Sequence, residues 1–180
     1  MEVLDCIATR RSQRRFTDQA VEQEKLDIIL KAAQAAPIGH SYFKGIQLTV
    51  VQNKEVLAAY DKASAIAWGK PHLHLFYNAP CVIVVSCNPA DPSLHVHACD
   101  AACIMENMQL AAVEEGLASV FLWGLLNRIP QDEAFNKALN LGEGFRPECM
   151  LALGYPVPGT ELKPRKIEEV PDRLAVNFVK

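Results

Sequence analysis

Residues 6 to 18, CIATRRSQRRFTD, bring four arginines, a serine and two threonines into one polar burst. Guanidinium groups that close together repel one another unless an anion sits among them. Arg10, Arg11, Ser12 and Arg14 are a set that could grip a phosphate: the guanidinium forks donate paired hydrogen bonds to its oxygens and the serine hydroxyl adds one more. The plain alternative is a solvated positive face at a helix C-terminus, where cations are favourable anyway. A second basic cluster, Lys163, Arg165 and Lys166 in ELKPRKIEEV, is stiffened by a proline and could close on the same anion.

A third constellation, HVHACDAAC, places His95, Cys99 and Cys103 at i, i+4 and i+8. On one helix the first and last of these are separated by about 12 Å, from a rise of about 1.5 Å per residue. Three ligands of one metal stand much closer, so zinc is disfavoured and cysteines packed against a sheet are the better reading. The chain carries no Ser-His-Asp or paired-carboxylate set, and no G-x-G-x-x-G.

These residues sit in a chain of 180 with half its residues apolar, 22% charged and a formal net charge of -3. That composition suits one globular domain over 1–180 with a real core. A mildly acidic chain argues against nucleic-acid binding and makes the basic burst a local exception. No apolar run approaches membrane-spanning length, and scattered cysteines without a CxxC fit a reducing, cytoplasmic setting.

The elements that must position the basic clusters can be read from periodicity. Val3, Leu4, Ile7 and Ala8 share one face of a short first helix that ends near Arg10 and Arg11. Leu26, Ile29, Leu30 and Ala33 recur at helical spacing up to Pro37. A strand is expected over 46–53, a helix over KEVLAAYDKASAIA, and a continuous apolar, central strand at CVIVVSC (81–87). Residues 95–115 form the longest helical pattern, apolar on most sides, closed by Gly116. A strand at 118–124, a helix in PQDEAFNKALN and a last strand at 148–156 complete an α+β chain: a single mixed central sheet flanked by helices. The tail beyond Gly159 carries Leu174, Val176, Phe178 and Val179, apolar groups that need a cover, which suggests a tail wrapping a partner subunit.

RRSQRRF at 10–16 and the helix ending AAQAAP at 32–37 resemble the N-terminal signature of the FMN-dependent nitroreductase family. DAACIMENMQLAAVEEGLASVFLWG, LALGYP and KPRKIEEV are similar to its central helix and strand, its Leu-Gly-Tyr-Pro strand end and its terminal basic segment, in the same order. The resemblance implies an α+β homodimer with two FMN sites at the interface, and NADH or NADPH as transient electron donor. It implies reduction of a small electron-poor acceptor, a nitroaromatic or a quinone, by hydride transfer at flavin N5. No side chain is then needed as catalytic acid or base, since the ring does the redox chemistry. By the same resemblance, Arg10, Arg11, Ser12 and Arg14, with Lys163 and Arg165, hold the FMN phosphate and ribityl chain. Leu122, Trp123 and Gly124 present backbone near N5. Pro37, Ile38, Gly39 and His40 line the flavin of the partner subunit. The chain departs from the family's usual Ala-Pro-Ser and Gln-Pro-Trp in APIGHSYFKG, where Ile38 lacks a hydroxyl and His40 and Ser41 are the candidates to bond the ring.

Overall fold

The computed structural model describes residues 1–90, 95–124, 126 and 137–179. Among the described residues, four α-helices, α1 (Val3–Thr9), α2 (Gln23–Gln34), α3 (Lys54–Ala67) and α4 (Val96–Glu114), flank four strands, β1 (Ile46–Val51), β2 (Cys81–Cys87), β3 (Ala118–Leu122) and β4 (Arg146–Gly154). The strands form one sheet in the order β1-β2-β4-β3. A mixed sheet is the sequence-based expectation; among the described residues all the pairings are antiparallel. The physical reason is that helical connections as long as those through α3 and α4 can return a strand in either direction, so periodicity leaves strand sense open.

β2 is central and buried along its whole length. Its alternate residues feed two cores. Cys81, Ile83 and Val85 join Cys149, Leu151 and Leu153 of β4 against α2 and α4 through Leu26, Ile29, Met105 and Met108. Val82 and Val84 face the other way with Met150, Ala152, Val120, Leu57 and Phe76. A strand covered on both faces has no polar side to show, hence the unbroken run CVIVVSC. α4 is buried at Ile104, Met105, Met108 and Ala112, as its pattern predicts.

Strand ends shift for local reasons. β1 stops at Val51 because Asn53 caps α3, its side-chain oxygen accepting the Glu55 and Val56 N–H groups at 3.0 and 3.1 Å. β3 ends at Leu122, and β4 spans 146–154 instead of 148–156. The helix expected in PQDEAFNKALN falls largely outside the described residues. Gly154 ends β4 where a Cβ would stand 2.7 Å from Pro80 Cδ and 3.3 Å from Phe16, so the chain after α1 can press directly on the strand.

Among the described residues, two apolar faces find no cover. On α1 only Ala8 of the predicted face is buried, while Val3, Leu4 and Ile7 are exposed. Leu174, Val176, Phe178 and Val179 are at least 72% exposed on an extended tail.

Candidate phosphate-gripping site

The segment after α1 is sewn to the segment after β4. Phe16 and Pro156 form an antiparallel bridge, Thr17 N–H donates to the Tyr155 carbonyl at 2.9 Å, and Val157 N–H donates to the Arg15 carbonyl. Further along, the Gln13 side-chain amide donates to the Thr160 carbonyl at 2.6 Å. Arg11 Nη2 reaches the Glu161 carbonyl at 3.4 Å, and Arg165 N–H donates to Thr9 Oγ1 at 2.9 Å. Lys166 Nζ pairs with Asp5 in the first turn of α1. The opposite side of the burst runs along the sheet edge, where Gln13 N–H donates to the Ser119 carbonyl of β3.

The result is a strip, 9–17 beside 155–166, in which two basic clusters 150 residues apart in sequence become neighbours. Arg11, Ser12, Arg14 and Lys163 are exposed, and among the described residues none of these cations has a carboxylate partner. Arg10 is half-buried and shares Glu106 of α4 at 3.1 Å; Arg165 donates to the Glu169 carbonyl at 2.6 Å. The Arg14 guanidinium lies 5.8 Å from the centre of the Tyr77 ring. So many donors without a countercharge fit a phosphate: it would supply the anion that the cluster lacks.

Leu122 ends β3, whose start flanks Gln13, and Trp123 and Gly124 follow it. The Leu122 side chain is buried in the core, so only its backbone could meet a ligand. Trp123 is exposed, and a Cβ on Gly124 would stand 3.7 Å from the Trp68 ring. Trp123 also borders an open cleft of about 450 Å³ lined by His97, Arg146 and Glu148 at the ends of β2 and β4.

Pro37, Ile38, Gly39 and His40 lie elsewhere. Gly39 N–H donates to Asp100 Oδ1 at 2.8 Å in the second turn of α4, whereas Arg10 pairs with Glu106, about 9 Å further along that helix by its rise. No described contact joins this loop to the basic strip of its own chain. His40 and Ser41 are exposed and adopt left-handed backbone, with φ of 55° and 53°. Such conformations in non-glycine residues cluster at functional sites.

Cys6, Cys81, Cys87 and Cys149 are buried packing groups. All six cysteines are free. Burial pushes the Cys81 and Cys87 thiols up to about 12, and that of Cys149 upward too. Cys103 packs at the margin of the core, but Cys99 is exposed rather than packed against the sheet. Among the described residues no three His, Cys, Asp or Glu side chains converge as metal ligands, and no helix is long and apolar enough to cross a membrane.

Sequence reasoning passed over Thr9, Gln13, Asp61 and Tyr77. Thr9 and Gln13 sit inside the burst and were open to notice; the other two become relevant only when the segment before β2 folds against Arg14.

An antiparallel sheet between helices, with a basic strip along one edge, defines an α+β fold. The chain belongs to the Nitroreductase family, whose model matches residues 7–155. It is 31% identical over 167 residues to a Methanothermobacter thermautotrophicus protein provisionally named an NADH dehydrogenase/NAD(P)H nitroreductase, covering 89% of this chain and 81% of that one. It is 31% identical over 189 residues to an FMN reductase [NAD(P)H] of Bacillus subtilis, covering 93% and 71%. In structure it is similar to a Bacteroides fragilis nitroreductase with bound FMN, with a TM-score of 0.84, 28% identity and full coverage of both chains.

Proposed function

We propose that this chain is an FMN-dependent NAD(P)H oxidoreductase that reduces a small electron-poor acceptor of the nitroaromatic or quinone type. The redox chemistry is what a bound flavin supplies: hydride acceptance at N5 from NADH or NADPH and, in a second half-reaction, delivery to the acceptor. The observation that carries this reading is the basic strip, with the exposed cations Arg11, Arg14 and Lys163 brought together by hydrogen bonds between the 9–17 and 155–166 segments and, among the described residues, lacking a carboxylate partner. Arg10, Arg11, Ser12, Arg14, Lys163 and Arg165 bind the phosphate. The backbone at Leu122, Trp123 and Gly124 orients the reactive edge.

The working unit is a homodimer of one domain per chain, spanning 1–180. The uncovered face of α1 (Val3, Leu4, Ile7) and the apolar tail residues supply what a second copy would cover. In that arrangement Pro37, Ile38, Gly39 and His40 of one subunit reach the site of the other, with His40 and Ser41 as ring donors. This explains why the loop does not meet the strip of its own chain. Six free thiols suit a reducing, cytoplasmic setting.

The test is direct. The purified protein is expected to be yellow and to release FMN on denaturation. A colourless protein that cannot be reconstituted with FMN overturns the proposal.

A further inference from the structure

Asp61 is a buried carboxylate on α3, and both its oxygens are committed to the segment between α3 and β2. Oδ2 takes His74 Nδ1 at 2.8 Å and Oδ1 accepts the Phe76 N–H at 2.8 Å. A carboxylate removed from water is costly unless its oxygens are bonded, so this contact fixes a definite loop shape. The shape is strained. Tyr77 and Asn78 are consecutive non-glycine residues in left-handed backbone, with φ of 55° and 56°. L side chains avoid that region, and it persists only where the surroundings enforce it. Here the enforcing contacts are the Asp61 bonds, the buried Phe76 side chain and two turn bonds: Tyr77 N–H to the His74 carbonyl and Ala79 N–H to that of Phe76.

The strained turn puts the Tyr77 ring 5.8 Å from the Arg14 guanidinium carbon, within cation–π range. Arg14 has no carboxylate partner among the described residues, so the ring sets where its guanidinium waits. We infer that Asp61 is a positioning residue for the phosphate grip, acting through the 74–78 turn and the Tyr77 ring on Arg14. The inference rests on the proposed FMN site and adds to it a residue that never touches the ligand.

The test uses the full-length protein stripped of flavin, titrated with FMN and followed by quenching of flavin fluorescence, with a melting curve for each variant. Tyr77→Leu is expected to weaken FMN binding about two- to five-fold, and Tyr77→Phe, which keeps the ring, to stay within about twofold of wild type. Asp61→Ala is expected to weaken binding by a similar factor, and Asp61→Asn, which can still accept the Phe76 N–H, to restore it. The deciding reading is the double variant: with Leu at 77, removing Asp61 costs no further affinity. If Asp61→Ala does not fold, His74→Ala opens the same latch from an exposed position and is read in the same two backgrounds. A lower melting temperature with unchanged FMN affinity, or losses that multiply in the double variant, overturns the inference. A wild-type protein that binds no FMN overturns the proposed function itself, and this inference with it.

Discussion

Arg14 and Arg10 have different surroundings, so their removal should read differently. Arg14 is exposed, touches the Tyr77 ring and has no carboxylate partner among the described residues; Arg10 shares Glu106 at 3.1 Å. A hydrogen bond to a charged group contributes about 1.5–3 kcal/mol, and exposure to salt and water places Arg14 in the lower half of that range. Arg14→Ala should therefore raise the FMN Kd about 10- to 50-fold. Its melting temperature should move by less than about 2 °C, since no ion pair is lost. Arg10→Ala should weaken FMN at least as much, because it removes a donor and leaves the Glu106 carboxylate facing the phosphate. The Arg10–Glu106 pair itself is half-exposed and worth about 0–1 kcal/mol to the fold, so its melting shift stays below about 4 °C. The assay is titration of flavin-stripped protein with FMN, alongside thermal melts at matched ionic strength. A Kd within twofold of wild type for both variants, in folded protein, would refute the phosphate assignment.

Further outcomes are expected. Val176→Asp with Phe178→Asp places charges on the uncovered tail and should convert a dimer to a monomer in light scattering, with loss of FMN; a dimer that survives unchanged contradicts the covering role of the tail. Gly154→Ala drives a methyl group against the Pro80 ring and should cost about 1–3 kcal/mol, a fall in melting temperature of roughly 2–12 °C. Iodoacetamide at mild alkaline pH should label Cys99 first and leave Cys6, Cys81, Cys87 and Cys149 untouched until the protein unfolds, as peptide mapping would show. Burial raises the Cys81 and Cys87 thiols from 9.0 to about 12, so the folded chain holds these protons more tightly than the unfolded one. Their contribution to stability is complete below about pH 9 and is lost as pH rises towards about 12, which urea unfolding across that window can follow.

Periodicity revealed most of the scaffold because most of it is buried on patterned faces. The run CVIVVSC reads as a central strand because both its faces are covered; the 95–115 pattern reads as a helix because one stripe, Ile104, Met105, Met108 and Ala112, is buried, while Ala98, Cys99 and Ala102 are exposed. Strand sense left no such trace, since it depends on how long connections return. The apolar face of α1 was legible, but its cover was not: Val3, Leu4 and Ile7 point away from their own chain. Of the candidate site, the two basic clusters were visible as charge, and their meeting depends on backbone bonds that any residue type can make, such as Thr17 N–H to the Tyr155 carbonyl. The Asp61–His74–Tyr77 latch left no motif, because its members matter through a turn whose backbone strain no composition announces.

The most direct measurement of the central claim is anaerobic addition of NADH or NADPH to the purified, flavin-loaded protein, followed by a nitroaromatic or quinone. The account predicts that the visible absorption of the flavin bleaches with at least one nicotinamide and returns when the acceptor is added. Bound flavin that neither nicotinamide bleaches would contradict it and make the chain a flavin-binding protein without turnover.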